Sequence, residues 1–200
     1  MVCENALIVF AKQPRPGTVK TRLADSIGPV LASEAYSKML SLTLAQVSLI
    51  EASRYLFLPP GDVLDESLIP PAGFCFYDQD GPDLGVRMAR AFDRVFGEGH
   101  LRVVLIGSDC PYLTADILNE AFYALEQVDT VFGPAADGGY YLVGLSAPGL
   151  DLFSGIAWST NRVWAMTLEK LKKGGFTHHK LPTLEDIDDL DSYTRWVEHS

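Results

Sequence analysis

Lys12, Arg15, Lys20 and Arg22 lie within one short stretch, directly after the unbroken apolar run Ala6-Leu7-Ile8-Val9-Phe10-Ala11. Lysine offers a point charge and arginine a planar fork of donors, and both suit phosphate oxygens better than a neutral ligand. Pro14, Pro16 and Gly17 stiffen and turn the chain between the cations. A buried strand that feeds a basic loop is a common way for an α/β protein to meet a phosphate. The plainer alternative is a solvated loop with ordinary surface charge. Two familiar phosphate motifs are excluded. A Walker A loop needs glycine where this chain has Pro14 and Val19, and no G-x-G-x-x-G follows the apolar run.

Carboxylates are the second ingredient. Asp109 stands in Gly107-Ser108-Asp109-Cys110-Pro111, immediately after the strand-like segment Leu101–Ile106. In open α/β sheets, ligands bind beyond the carboxyl ends of the strands, where such a residue falls. Magnesium prefers oxygen ligands and is commonly held by one or two carboxylates plus substrate phosphates. An aspartate that caps a turn explains the position equally well. The run Asp186-Ile187-Asp188-Asp189-Leu190-Asp191 could supply a second metal ligand, or could simply start a helix whose dipole favours acidic residues. Asp137-Gly138-Gly139 reads as a hairpin turn, and its glycines would also let a substrate approach the backbone. His100, His178, His179 and His199 have no ligand spacing.

These residues need a frame. Strands are expected at 6–11, 54–58, 74–77, 101–106, 130–132, 140–143 and 179–181. Helices are expected at 21–28, 30–51, 84–96, from an N-cap at Thr114 to about 127, and from Ser159 or Thr160 to Gly174-Gly175, with a last helix after the acidic run. Alternation of this kind implies one α/β domain over residues 1–200 with a mostly parallel sheet, made mixed by the hairpin around Asp137.

With 200 residues, 48% of them apolar, the chain can bury a core without disulfide or metal staples. A net charge of −10 argues against nucleic acid as a partner. Cys3, Cys75 and Cys110 match neither a zinc site nor a disulfide framework, which suits a reducing compartment. No segment reaches the length of a membrane span, and no basic-then-apolar leader opens the chain, so a cytoplasmic location is expected.

Six segments in order resemble a known family: FAKQPRPGTVKTRL (10–23), QDGPDLGVRM (79–88), GSDCPYL (107–113), GPAADGGYYLVGL (133–145), WST (158–160) and DIDDLDSY (186–193). Together they are similar to the bacterial selenodomain-associated transferases of the GT-A nucleotide-diphospho-sugar transferase superfamily. More distant relatives include the guanylyltransferase that activates 2-phospholactate and the cytidylyl- and uridylyltransferases of sugar activation. The resemblance implies a three-layer α/β/α sandwich with a nucleotide pocket over the carboxyl end of the first strand. Taken with the basic loop, phosphate contacts are expected from Lys12, Arg15, Gly17, Lys20, Arg22, Gly107 and Ser108, and the resemblance implies that Lys20 and Arg22 meet the nucleotide's phosphates and act in catalysis. Asp109 matches the metal carboxylate of the glycosyltransferases' D-x-D, although Ser108-Asp109-Cys110 has no second aspartate. Asp188 best matches the second metal carboxylate of the sugar-activating relatives, with Asp186 and Asp189 as alternatives.

The leading expectation is therefore a Mg²⁺- or Mn²⁺-dependent transfer of a sugar from a nucleotide-sugar to a small acceptor. Asp137 would orient or deprotonate the acceptor, and Gly138, Gly139 and Trp158 would border it. The closest alternative joins a nucleoside triphosphate to a phosphorylated small molecule and releases pyrophosphate. A nucleotide-binding module without turnover is the third. Sugar, base, acceptor and oligomeric state stay open.

Overall fold

The computed structural model describes residues 3–69 and 73–199. Seven strands form one sheet: β1 (Asn5–Phe10), β2 (Ser53–Leu58), β3 (Phe74–Asp78), β4 (Arg102–Ile106), β5 (Thr130–Pro134), β6 (Tyr140–Leu145) and β7 (His178–Lys180). Their spatial order is β3-β2-β1-β4-β6-β5-β7. Only β6 runs against its neighbours, since β1 pairs parallel with β2 and β4, and β5 parallel with β7. The sheet is mixed and mostly parallel, as the strand–helix alternation and the hairpin predict.

The side-chain period of two sends alternate residues of β1 to opposite faces. Leu7 and Val9 enter a core with Met39, Leu40 and Leu44 of α2 (Pro29–Ser48), Leu118 and Phe122 of α4 (Ala115–Ala124), and Trp196 of α6 (Leu190–Glu198). Ala6 and Ile8 enter a second core, with Met88, Phe92 and Val95 of α3 (Leu84–Phe96) and Leu171 of α5 (Val163–Gly174). The short α1 (Thr21–Ile27) packs through Leu23 on Ala32 and Ala35 of α2. Helices thus cover both faces in a three-layer sandwich, which explains why β1 from Ala6 and β4 from Val103 read as apolar runs.

Three helix boundaries differ from expectation: α2 ends at Ser48 rather than 51, and the other two have local reasons. Helix α5 begins at Val163 because Ser159 adopts a left-handed backbone (φ 61°), and the Thr160 hydroxyl donates to the Ala157 carbonyl at 2.7 Å. Helix α4 stops at Ala124, and the chain tightens into turns in which Glu126 N–H donates to the Tyr123 carbonyl.

The chain moves from β1 outward to β3, then returns to the other side of β1 at β4. Loops leaving the carboxyl ends of β1 and β4 consequently diverge and leave a crevice between them. That crevice holds the candidate site.

Candidate functional site

The loop after β1 is pinned from several sides. Lys12 N–H donates to the Tyr36 hydroxyl at 2.9 Å, and Gln13 N–H to Asp62 Oδ2 at 3.2 Å. The buried Gln13 side chain donates to Asp65 at 2.8 Å and accepts from its backbone N–H at 3.1 Å. Tyr36, on α2, also lies 2.8 Å from the Ser108 hydroxyl in the loop after β4. Burial, with the Asp109 carboxylate nearby, pushes the Tyr36 pKa upward, so the phenol keeps its proton and can donate to Ser108 while accepting from Lys12. One side chain thereby joins both loops of the crevice.

Lys20 follows with a left-handed backbone (φ 49°, ψ 48°), uncommon for a residue with a side chain. Its ammonium lies 3.2 Å from Asp109 Oδ1 and 2.8 Å from Asp188 Oδ1. The lysine side chain is only 3% exposed, whereas the two carboxylates are 47% and 44% exposed. Burial acts to lower the lysine pKa, but the two carboxylates outweigh it, and the net shift is upward. The lysine stays charged. The acidic run is held here by Ile187 N–H, which donates to the Asp109 carbonyl at 3.0 Å.

The three candidates for the second metal carboxylate are separated by this geometry. The Asp189 side chain accepts from the backbone N–H of Ser192 at 2.9 Å and caps α6 in a reciprocal capping box, so its carboxylate belongs to the helix. Asp188 reaches Lys20. Asp186 keeps Oδ1 buried and without a hydrogen-bond partner. Burial first, then the Asp109 carboxylate, pushes the Asp186 carboxyl up to about 7.

The crevice opens as a cleft of about 670 Å³ whose lining includes Lys12, Lys20, Arg22, Arg87, Asp109 and Asp188. Behind it lies a recess of about 210 Å³, bordered by Asp137, Gly139, Trp158 and Val163 among others. Tyr140, Ser159 and Asp186 belong to both and form part of the shared wall.

Most of the expected residues converge. Lys12, Lys20, Arg22, Gly107, Ser108, Asp109 and Asp188 line the cleft, and Asp137, Gly139 and Trp158 line the recess. Gly138 supports the turn: its φ is 92°, and a Cβ there would meet the Asn161 carbonyl oxygen at 2.3 Å. Arg15 and Gly17 do not join the cleft lining. Arg15 is held by Asp62 at 2.9 Å, and Gly17 occupies an exposed turn with φ 81°.

Three cleft residues escape a reading by residue type and spacing: Tyr36, Gln79 and Arg87. Gln79 Nε2 donates to the carbonyls of Ala11 at 3.0 Å and Phe57 at 2.9 Å, which ties β1 to the loop after β3. Arg87 adds a cation from α3 and donates through Nε to the Gly81 carbonyl at 2.9 Å. Both lie in QDGPDLGVRM, a segment whose likeness to known proteins was legible but whose chemistry was not.

A divalent ion suits the donors. They are all carboxylate oxygens, two of them already converge on one cation, and Asp186 Oδ1 lacks a partner. Among the described residues no group of three His, Cys, Asp or Glu side chains forms a ligand set by itself. An ion here would therefore draw on Asp109 and Asp188 and complete its shell with substrate oxygens and water.

Comparison with known proteins agrees with the fold. A nucleotide-diphospho-sugar transferase, so named provisionally, of Desulfovibrio desulfuricans G20 superposes with a TM-score of 0.86 at 34% identity, over 94% of this chain and 84% of that one. Rv0371c of Mycobacterium tuberculosis H37Rv, in complex with manganese, gives a TM-score of 0.55 at 16% identity over 98% and 100% of the two chains. The inositol-1-phosphate CTP transferase of T. maritima gives 0.56 at 10% identity over 100% and 95%. At those two identities the likeness speaks for the fold alone. A search of curated proteins finds no match. Residues 43–160, more than half of the sequence, match the family described as "uncharacterized protein conserved in bacteria" (DUF2064). The chain belongs to the DUF2064 family and has the α/β fold of the nucleotide-diphospho-sugar transferases.

Proposed function

We propose that this protein is a divalent-metal-dependent transferase that moves a sugar from a nucleotide-diphospho-sugar to a small acceptor. The observation that carries the reading is the Lys20 ammonium, fixed between Asp109 and Asp188 on the lining of a cation-rich cleft. A diphosphate in that cleft would have Lys12, Lys20, Arg22 and Arg87 on its lining. Preorganised cations at the point where leaving-group charge develops are among the strongest contributions an enzyme can make to rate. Mg²⁺ or Mn²⁺ held by Asp109 and Asp188 supplies further neutralisation of the diphosphate when bound. Asp137 borders the adjoining recess, where it can orient an acceptor hydroxyl and take its proton.

The motif resemblance to the selenodomain-associated transferases and the 34% identity to the D. desulfuricans protein point the same way. The working form of this reading is a single-domain cytoplasmic enzyme. Product analysis across nucleotide-sugars and nucleoside triphosphates is the test. Release of nucleoside diphosphate from a nucleotide-sugar is expected, and pyrophosphate release from a triphosphate as the only turnover would overturn the glycosyl reading.

A further inference from the structure

From the charge distribution of the two chambers we infer that the acceptor is an uncharged alcohol with an apolar face, and that phosphorylated and carboxylated acceptors are rejected. The inference rests on the transferase reading above and names the missing half of its substrate pair.

The cleft and the recess share a wall but differ in chemistry. The cleft is lined by Lys12, Lys20, Arg22 and Arg87. No lysine, arginine or histidine is among the described residues that line the recess, and its two acidic side chains are Asp137 and Asp186. The rest of its surface is mainly apolar or aromatic, including Phe10, Met88, Leu142, Tyr140, Trp158 and Val163. An anionic acceptor placed there would face the Asp137 carboxylate, with no lysine, arginine or histidine on the recess lining to oppose it, a juxtaposition that selects against like charge.

Several backbone donors at the Asp137 turn and at α5 are already engaged. Gly139 N–H donates to Asp137 Oδ1 at 2.8 Å, and Gly138 N–H to the Ala135 carbonyl at 3.1 Å. The amino end of α5, which could otherwise attract an anion, is also engaged: Val163 N–H donates to the Thr160 carbonyl and Trp164 N–H to the Gly138 carbonyl. The recess therefore offers carboxyl oxygens as hydrogen-bond acceptors, uncharged hydroxyls such as that of Tyr140, and apolar contact. A hydroxyl group, which can donate to a carboxylate, matches the first, and an apolar molecular face matches the last. The volume, about 210 Å³, equals that of roughly seven waters and suits a small molecule.

The balanced step follows. The acceptor oxygen forms a bond to the anomeric carbon as that carbon's bond to the β-phosphate oxygen breaks. The bonding electron pair leaves with the nucleoside diphosphate, and the acceptor proton passes to the Asp137 carboxylate and then to water. A nucleotidyl transfer would instead need an anionic phosphate in this same recess.

The test uses the full chain with Mn²⁺ and a matched pair of probes, 2-phenylethanol and 2-phenylethyl phosphate, which differ only in the phosphate. Binding of each is measured by ligand-observed NMR with the nucleoside diphosphate that calorimetry shows to bind best among UDP, GDP, CDP and ADP. Expected is at least tenfold tighter binding of the alcohol. Thr160→Trp, at an exposed position on the recess lining, should weaken alcohol binding at least tenfold while changing the nucleotide Kd less than twofold. Equal or tighter binding of the phosphate ester, binding of neither probe, or a silent Thr160→Trp overturns the acceptor inference while leaving nucleotide binding intact. Failure of all four nucleotides to bind overturns the transferase reading, and the acceptor inference with it.

Discussion

Lys20 and Asp188 lie 168 positions apart in sequence, yet the lysine Nζ and Asp188 Oδ1 meet at 2.8 Å. Lys20, the residue just before α1, has a left-handed backbone, and its side chain lies between Asp188 and Asp109. A non-glycine residue costs of order 1 kcal/mol or more in that conformation and persists where the surroundings impose it, often at functional sites. The carboxylates stay half-exposed while the ammonium is sealed beneath them.

Replacing Lys20 by methionine removes the charge and keeps a similar reach. Turnover is expected to fall roughly 100- to 1,000-fold, the usual loss for one preorganised electrostatic group. Because its partners are half-exposed and water can solvate them, the stability change is expected to be only about 1 kcal/mol. Steady-state kinetics beside a thermal melt check both; unchanged kcat would remove Lys20 from the mechanism.

Asp188 and Asp189 are neighbours with different duties. Asp188→Asn should abolish the enhancement of nucleotide affinity by Mg²⁺ or Mn²⁺, and the wild type in EDTA should behave the same way. Asp189→Ala should leave that enhancement intact and destabilise the fold by about 1 kcal/mol through loss of the α6 cap. Calorimetric nucleotide titrations and denaturant melts on both variants decide the assignment. An Asp189→Ala protein that loses metal-linked binding would reverse it.

Gly85 sits on α3 beneath the recess wall. A Cβ there would meet Trp158 Nε1 at 2.4 Å and the Phe153 carbonyl oxygen at 2.7 Å, so the indole must move. Gly85→Ala should cost about 1–3 kcal/mol of stability, as overpacking typically does. It should raise the acceptor KM at least fivefold, with nucleotide affinity within twofold of wild type. An acceptor KM that stays constant would show that Trp158 does not shape the acceptor site.

Glu98, far from the cleft, gives a pH signature. Burial alone would raise its pKa, but hydrogen bonds from Tyr55 (2.7 Å) and Tyr77 (2.9 Å), with Arg94 and His100 nearby, outweigh it and the net shift is downward. A carboxylate whose folded pKa is depressed stabilises the fold above its unfolded value of about 4.3, and that contribution is lost as pH falls through the lower folded value. With the side chain 34% exposed, the effect should stay below about 1 kcal/mol. Denaturant melts from pH 7 down to pH 3 should show Glu98→Gln less acid-sensitive than wild type below about pH 4.5. Equal slopes for the two proteins would remove Glu98 from the acid response.

Much of this molecule was readable from residue order. Apolar runs of strand length separated by helical patterns specify an α/β sheet covered on both faces, because a strand buried on both sides leaves no polar alternation. The glycine and proline punctuation, and Thr114 ahead of α4, marked element ends through local backbone chemistry that needs no distant partner. A basic loop after the first strand and an aspartate after the fourth followed from the same local logic. Roles that depend on distant neighbours were not legible. Asp186, Asp188 and Asp189 look alike in sequence, and only packing makes one a helix cap, one a partner of Lys20 and one a buried group at the wall between two chambers. Arg15 looked equivalent to Lys20 until Asp62 claimed it, and Tyr36 carried no chemical signal until α2 placed its hydroxyl between Lys12 and Ser108. Local sequence sets propensity and the supply of charges. Which charges meet depends on long-range contacts, here the reversal of strand order between β1 and β4 that brings residues 12, 20, 109 and 188 to one crevice.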